Sequence, residues 1–246
     1  MIQDGPAPQL VVDSVAKSFG ALRVLDDVTF SVPAGQALGI VGPNGAGKST
    51  LFSVISGVES ADTGSVHISG QDVTHRGAAQ RCRFGVGRTF QIPRPFVDLT
   101  VFENALVGAQ RGAGLRGRAA HDRALAALAS TGLTKYANDR AGTLRLLDRK
   151  RLELARALAT EPRLLLLDEI AGGLTEAETT QLVATVLRLK ADGLTIIWIE
   201  HVVNALTQVV DRLLCLAFGR VYVDGLPDEV MASQEVEEIY LGSTPK

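Results

Sequence analysis

Apolar and polar positions change their rhythm several times along the chain. "QLVVDSVAKSF" and "RVLDDVTFSV" alternate or run apolar and are rich in Val, Thr and Phe, which predicts two strands. "AGQALGIVGPNGAGKSTLFSVISG" reads as an apolar strand, a glycine loop and a helix that stops at Gly57. "GSVHISGQDV" predicts another short strand bounded by turns. From about Thr100 to Thr160, Ala, Leu and Arg dominate, as in "HDRALAALASTGL" and "KRLELARALAT", and the spacing is that of helices. "RLLLLDE" and "LTIIWIEH" are apolar without alternation. Strands of that kind, separated by helical stretches, are buried on both faces of a parallel sheet. "DRLLCLAF" and "GRVYVDG" predict a closing hairpin, and "PDEVMASQEVEEIYLG" a short helical tail. There is no internal repeat. The whole reads as one domain over 1–246. An α/β core with an antiparallel β edge spans 1–90 and 161–246, a helical unit at 91–160 is inserted into it, and 226–246 form a C-terminal tail.

Composition narrows this picture. The chain's 246 residues, 46% hydrophobic, are enough for one large α/β domain. A net charge of −2 gives no electrostatic case for nucleic acid as a partner. Cys82 and Cys215 are far apart and form no motif, so neither a disulfide framework nor a zinc site is expected, which fits a reducing compartment. "MIQDGPAPQL" lacks the basic and apolar regions of a signal peptide. "LLLL" and "TIIWI" are too short to span a bilayer, so any membrane role is that of a peripheral subunit.

The chemistry concentrates in "GPNGAGKST", Gly42 to Thr50, a full G-x-x-x-x-G-K-[ST] match. In Gly42, Asn44, Gly45, Ala46 and Gly47, missing or small side chains let backbone N–H groups curl around phosphates. The helix that follows, from Lys48 through Ser49 and Thr50, points its positive end at the same anion. Lys48 is expected to reach the β- and γ-phosphates and the Ser49 hydroxyl to bind Mg²⁺. Asp168 closes the strand "LLLLD", within reach of Mg²⁺, and Glu169 follows at the carboxyl edge of the sheet, where a carboxylate can polarise an attacking water. Taken alone the pair is also an ordinary acidic strand end; the P-loop decides between the two. His201 again follows a buried strand. Phe19 is either a stacking platform for the adenine or a packed turn residue.

With the P-loop, Gln91, "LLLLDE" and His201 in this order and spacing, the chain resembles the ATP-binding-cassette ATPases of membrane transporters over nearly its whole length. "GRTFQIPRPFVDLTVFENALVG", "KRLELARALATEPRLLLLDEIAGGLTEAE", "IIWIEHVVNAL" and the ending "YLG" are similar to one of the two ATPase subunits of branched-chain amino acid importers and their urea and amide relatives. The resemblance implies ATP with Mg²⁺, a head-to-tail sandwich with a second cassette, two transmembrane permease subunits and an extracytoplasmic substrate-binding protein, with the chain on the cytoplasmic face of the membrane. It further implies Glu169 as general base, His201 as the residue orienting γ-phosphate and water, and Gln91 as a contact of the Mg²⁺ and water shell that relays to the permease. An exporter or lipid-transport ATPase, and a nucleotide-gated subunit that hardly hydrolyses, remain alternatives. A nucleic-acid-repair cassette is disfavoured, since no long coiled-coil insertion or basic face is present.

One stretch departs from the family. Its signature, L-S-G-G-Q, precedes A-R-A-L at a fixed distance, and "ARAL" here is 155–158. Leu144 therefore holds the first signature position, Arg145 replaces Ser, Leu146 and Leu147 replace both Gly, and Asp148 replaces Gln. The serine donor is lost and Cβ atoms crowd a backbone that should approach an anion. Asp148 would repel phosphate unless it turns away, and an N-cap role on "RKRLELARAL" is the expected way to do so. Arg145 and the helix N-terminus offer compensation. Because this loop serves the partner's ATP, asymmetric sites are the favoured expectation and functional substitution the rival. Two further departures are Ile170, where many cassettes have Pro, and Thr175, where many have Asp. The stretch 111–123 carries four Arg, a solvated loop by default or a contact with headgroups or the permease.

Overall fold

The computed structural model describes residues 8–240; the N-terminal segment 1–7 and the last two residues of "YLG" lie outside them. In chain order the elements are β1 (Pro8–Phe19), β2 (Leu22–Pro33), β3 (Ala37–Val41), α1 (Lys48–Ser56), β4 (Thr63–Ile68), β5 (Gln71–Asp72), α2 (Ala78–Arg83), β6 (Val86–Arg88), α3 (Val101–Val107), α4 (Gly117–Ser130), α5 (Leu146–Ala159), β7 (Leu164–Asp168), α6 (Glu176–Ala191), β8 (Thr195–Ile199), α7 (Val203–Thr207), β9 (Arg212–Ala217), β10 (Arg220–Gly225), α8 (Pro227–Met231) and α9 (Gln234–Tyr240). β1, β2, β4 and β5 form an antiparallel sheet in the order β2-β1-β4-β5. The second sheet runs β10-β9-β3-β8-β7-β6, parallel throughout except for the β10 edge.

The unbroken apolar strands explain the layering. In β7, Leu164 and Leu166 face a core shared with β1, β2, β4 and α1, while Leu165 and Leu167 face the opposite core beneath α3, α4, α5 and α6. β8 divides in the same way, with Ile197 and Ile199 on one side and Ile196 and Trp198 on the other. Period-two geometry sends alternate side chains to opposite faces, so a strand buried on both must be apolar at every position. The carboxyl ends of β3, β7 and β8 thus emerge along one edge, carrying the P-loop, Asp168–Glu169 and His201 respectively.

Most expected elements are present. Gly57 ends α1 in the left-handed conformation, its N–H reaching Ser53 and Val54 carbonyls. Thr100 opens α3 with a capping box to Glu103. α2 and β6 were not legible, being too short for a period to show. Arg81 of α2 is buried and satisfies four backbone carbonyls: Nε donates to Arg76 O, Nη1 to Val54 O and Ile55 O, and Nη2 to Thr74 O, at 2.7–2.9 Å. Burial lowers its pKa to about 10, so it stays charged. Both cysteines are free. Among the described residues no helix is long and apolar enough to cross a membrane.

Arg81→Met keeps the apolar stem but removes the guanidinium donors from these carbonyls, of which Val54 O keeps the Gly57 N–H. It should destabilise the fold by about 3 kcal/mol, roughly 6–12 °C in Tm, measured by calorimetry. A shift under about 2 °C would show that water takes over the carbonyls.

Candidate functional site

The P-loop is wedged between β3 and β9. Gly42 sits at φ +148°, and a Cβ there would stand 1.9 Å from the Leu216 carbonyl oxygen, so only glycine fits. The Gly42 peptide is held at both ends: its N–H donates to Tyr240 Oη at 3.2 Å and its carbonyl accepts from Lys48 Nζ at 2.7 Å. Lys48 also donates to Pro43 O at 2.9 Å. Its ammonium is buried, and desolvation lowers its pKa against the raising influence of Glu169, Cys215 and Asp168. Val24, Asn44, Gly45, Ala46, Gly47, Lys48, Ser49, Thr50 and Glu169 enclose a cavity of about 200 Å³. Every small residue singled out after Gly42, together with the lysine, serine and threonine, therefore lines one hollow with a carboxylate on its wall. Phe19 stands exposed at the end of β1, with Lys17 Nζ 5.2 Å from its ring centre, outside the lining residues.

Glu169 gathers the other candidates. His201 Nε2 lies 2.6 Å from Glu169 Oε1, and Gln91 Nε2 donates to Glu169 Oε2. Three residues separated by up to 110 positions thus meet on one carboxylate. Glu169 has φ +47°, an uncommon conformation for a residue with a side chain. Asp168 spends Oδ2 on Arg88 Nη2 at 3.1 Å, and its N–H donates to Thr89 Oγ1 at 3.1 Å. Ser49 and Asp168 offer hard oxygen donors, which suit Mg²⁺ and not a soft metal.

Sequence reading missed Arg88, Lys150, Glu200 and Tyr240. Glu200 directly follows the apolar run of β8, whereas Lys150 is hidden in the charged run 148–151; both are buried. Tyr240 belongs to the recognised ending but carried no assigned role.

The degenerate signature adopts a definite form. Arg145, not Asp148, is the N-cap of α5, and the helix begins at Leu146. Asp148 lies in the first turn, where its carboxylate pairs with Arg151 at 3.2 Å, a partner three residues on that outcompetes a cap. Leu144 and Leu147 point into the fold, whereas Leu146 is 44% exposed and rests against Gly173. No side chain caps α5, and Arg145 is exposed. Ile170 is buried, and Thr175 is the N-cap of α6, with Oγ1 accepting from Glu178 N at 3.3 Å. Of the four arginines in 111–123, Arg123 is built into the fold by Leu158 O and Glu161, while Arg111, Arg116 and Arg118 are exposed.

The family model for ABC transporters matches residues 25–172. The chain belongs to the ABC transporter ATP-binding family. The high-affinity branched-chain amino acid transport ATP-binding protein BraF of Pseudomonas aeruginosa is 34% identical over 250 residues, 96% of this chain and 98% of the relative. The ADP conformation of the ATP-binding cassette MJ1267 superimposes with a TM-score of 0.88 at 32% identity, covering 96% of this chain and 99% of that one. A dimeric post-hydrolysis state of the cassette MJ0796 with ADP and Pi does so at 0.78 and 25% identity, covering 89% of this chain and 98% of that one. As an ABC cassette the chain binds nucleotide and is an ATPase.

In this cassette Arg88 neutralises a buried carboxylate. Arg88→Met should lower stability by about 3 kcal/mol. Added Mg²⁺ should recover more of the loss in the variant than it adds to the wild type, because a cation at Asp168 replaces the guanidinium; melting curves with and without Mg²⁺ decide it.

Proposed function

We propose that this cassette hydrolyses ATP to power an importer of branched-chain amino acids or related small amides, with Glu169 as general base. The meeting of His201, Gln91 and Glu169 beside the P-loop cavity carries this reading. The phosphates lie against the P-loop N–H groups, and Lys48 exchanges its two carbonyl partners for phosphate oxygens. Ser49 and Asp168 would hold Mg²⁺ with Gln91 at its water shell, and the bound ion would neutralise charge on the β- and γ-phosphates. Glu169 takes a proton from the attacking water, and His201, held on Glu169, orients that water and the γ-phosphate. Phe19 stacks on the adenine.

The partner reading rests on the relatives' printed names and on the dimeric neighbour. A second cassette closes over this chain's nucleotide, two permease subunits dock on the helical unit 91–160, and an extracytoplasmic binding protein delivers the substrate. An apolar groove of about 320 Å³, lined in part by Cys82, Phe90, Val107, Arg111 and Arg156, lies between the core and that unit beside the Gln91 loop and suits the permease contact. The chain then sits at the cytoplasmic face of the membrane, with the core at 1–90 and 161–246 and the tail at 226–246.

The sites are asymmetric in this reading. The site built on Lys48, Asp168, Glu169 and His201 is closed by the partner's serine and glycines and turns over. The opposite site meets Arg145 and the exposed Leu146 and turns over slowly. A second reading is favoured by the uncapped α5 N-terminus and by Asp148 being neutralised by Arg151: Arg145 and the helix end then replace the serine.

Steady-state ATPase against protein concentration separates the two. Asymmetry predicts a flat, near-zero rate for the isolated chain, rising when a partner cassette is added and abolished by Glu169→Gln. A rate per molecule that climbs with concentration alone would sink it. In the two-cassette assembly, Ser-Gly-Gly at 145–147 should raise turnover, and an unchanged rate would favour Arg145 as a working substitute.

A further inference from the structure

The Glu169 and His201 loops are held by two buried charged residues that do not line the P-loop cavity. Glu169 follows β7 and His201 lies just past β8, and their side chains meet within hydrogen-bond distance. The left-handed backbone of Glu169 needs support from several directions. Its N–H donates to Ile199 O at 2.9 Å, which fixes it to β8. Its carbonyl accepts from Lys150 Nζ at 3.2 Å. Two residues on, the Ala171 N–H donates to Glu200 Oε1 at 2.6 Å. The other Glu200 oxygen, Oε2, accepts from the N–H groups of His201 at 2.9 Å and Val202 at 3.4 Å. One carboxylate therefore grips the loop after Glu169 with one oxygen and the His201 loop with the other.

Both charged groups are almost wholly buried, Glu200 at 2% exposure and Lys150 at 4%. Burying a carboxylate and an ammonium is costly, and apolar residues would pack the same space without that cost. Their hydrogen bonds go to backbone groups of the two catalytic loops and not to a distant scaffold. The charges of Glu200 and Glu169 counter the desolvation of Lys150. Lys150 also belongs to α5, whose first residue is in the degenerate signature.

We propose that Glu200 and Lys150 are positioning residues that clamp the Glu169 and His201 loops at hydrolytic spacing and tie them to the signature helix. This rests on the reading of Glu169 as general base.

The test uses the chain assembled with its partner cassette. Glu200→Gln leaves one acceptor oxygen and places an NH₂ against N–H donors, so one loop must let go. The expected result is a kcat lowered by about 10- to 100-fold. The KM for ATP and ADP affinity should stay within about twofold. Lys150→Met should behave alike, and Lys150→Arg should restore most of kcat. Should Glu200→Gln fail to fold, Glu200→Asp keeps both oxygens on a stem one methylene shorter and carries the same expectation. An unchanged kcat overturns the clamp. Loss of nucleotide affinity and Tm along with kcat also overturns it, since that marks residues serving only the fold. Turnover that survives Glu169→Gln in the same assembly removes the general base itself, a failure separate from one confined to the clamp variants.

Discussion

The approach of Gly42 to the Leu216 carbonyl fixes the nucleotide site. With 1.9 Å between that oxygen and the place a Cβ would take, β3 and β9 pack too closely for any side chain at the mouth of the P-loop. The Gly42 peptide then becomes a rigid support. Its carbonyl parks the Lys48 ammonium and its N–H engages Tyr240 from the C-terminal helix. A binding loop for a highly charged ligand has to be shaped before the ligand arrives, since ordering it at the moment of binding would consume affinity. Here the sheet does the shaping.

The second requirement is that polar side chains from separate strands converge. A parallel sheet supplies this, because all its carboxyl ends open on one edge. Glu169 receives His201 on one oxygen and Gln91 on the other, and Asp168 beside it is held by Arg88. Arg88 ends β6, just before the Gln91 loop, so that loop is anchored to the strand end carrying both carboxylates. A short covalent and ionic path thus joins the Gln91 loop to Asp168 and Glu169.

The signature shows how a sequence departure is absorbed. Two leucines in place of glycines look disruptive on paper. In the fold Leu144 and Leu147 are both buried, and the departure is confined to Leu146 and Arg145 at the surface. Asp148, the residue most hostile to phosphate, is neutralised within its own helix by Arg151. The fold thus accommodates the altered loop with only Arg145 and Leu146 at its surface.

Local pattern determined most strands, α1 with its glycine stop, the P-loop and the acidic strand end Asp168–Glu169, since each is written in contiguous residues with a clear period or spacing. The family, and with it the ATPase activity, was legible for the same reason. The short α2 and β6 were not, because a few residues carry no period. Nor were the roles of Arg88, Lys150, Glu200 and Tyr240, nor the choice of Arg145 over Asp148 as helix cap. Those are decided by which backbone groups happen to lie within 3 Å or so of a charged side chain once distant segments pack. A buried charge in an apolar run announces that it has a partner, but only the tertiary structure names it.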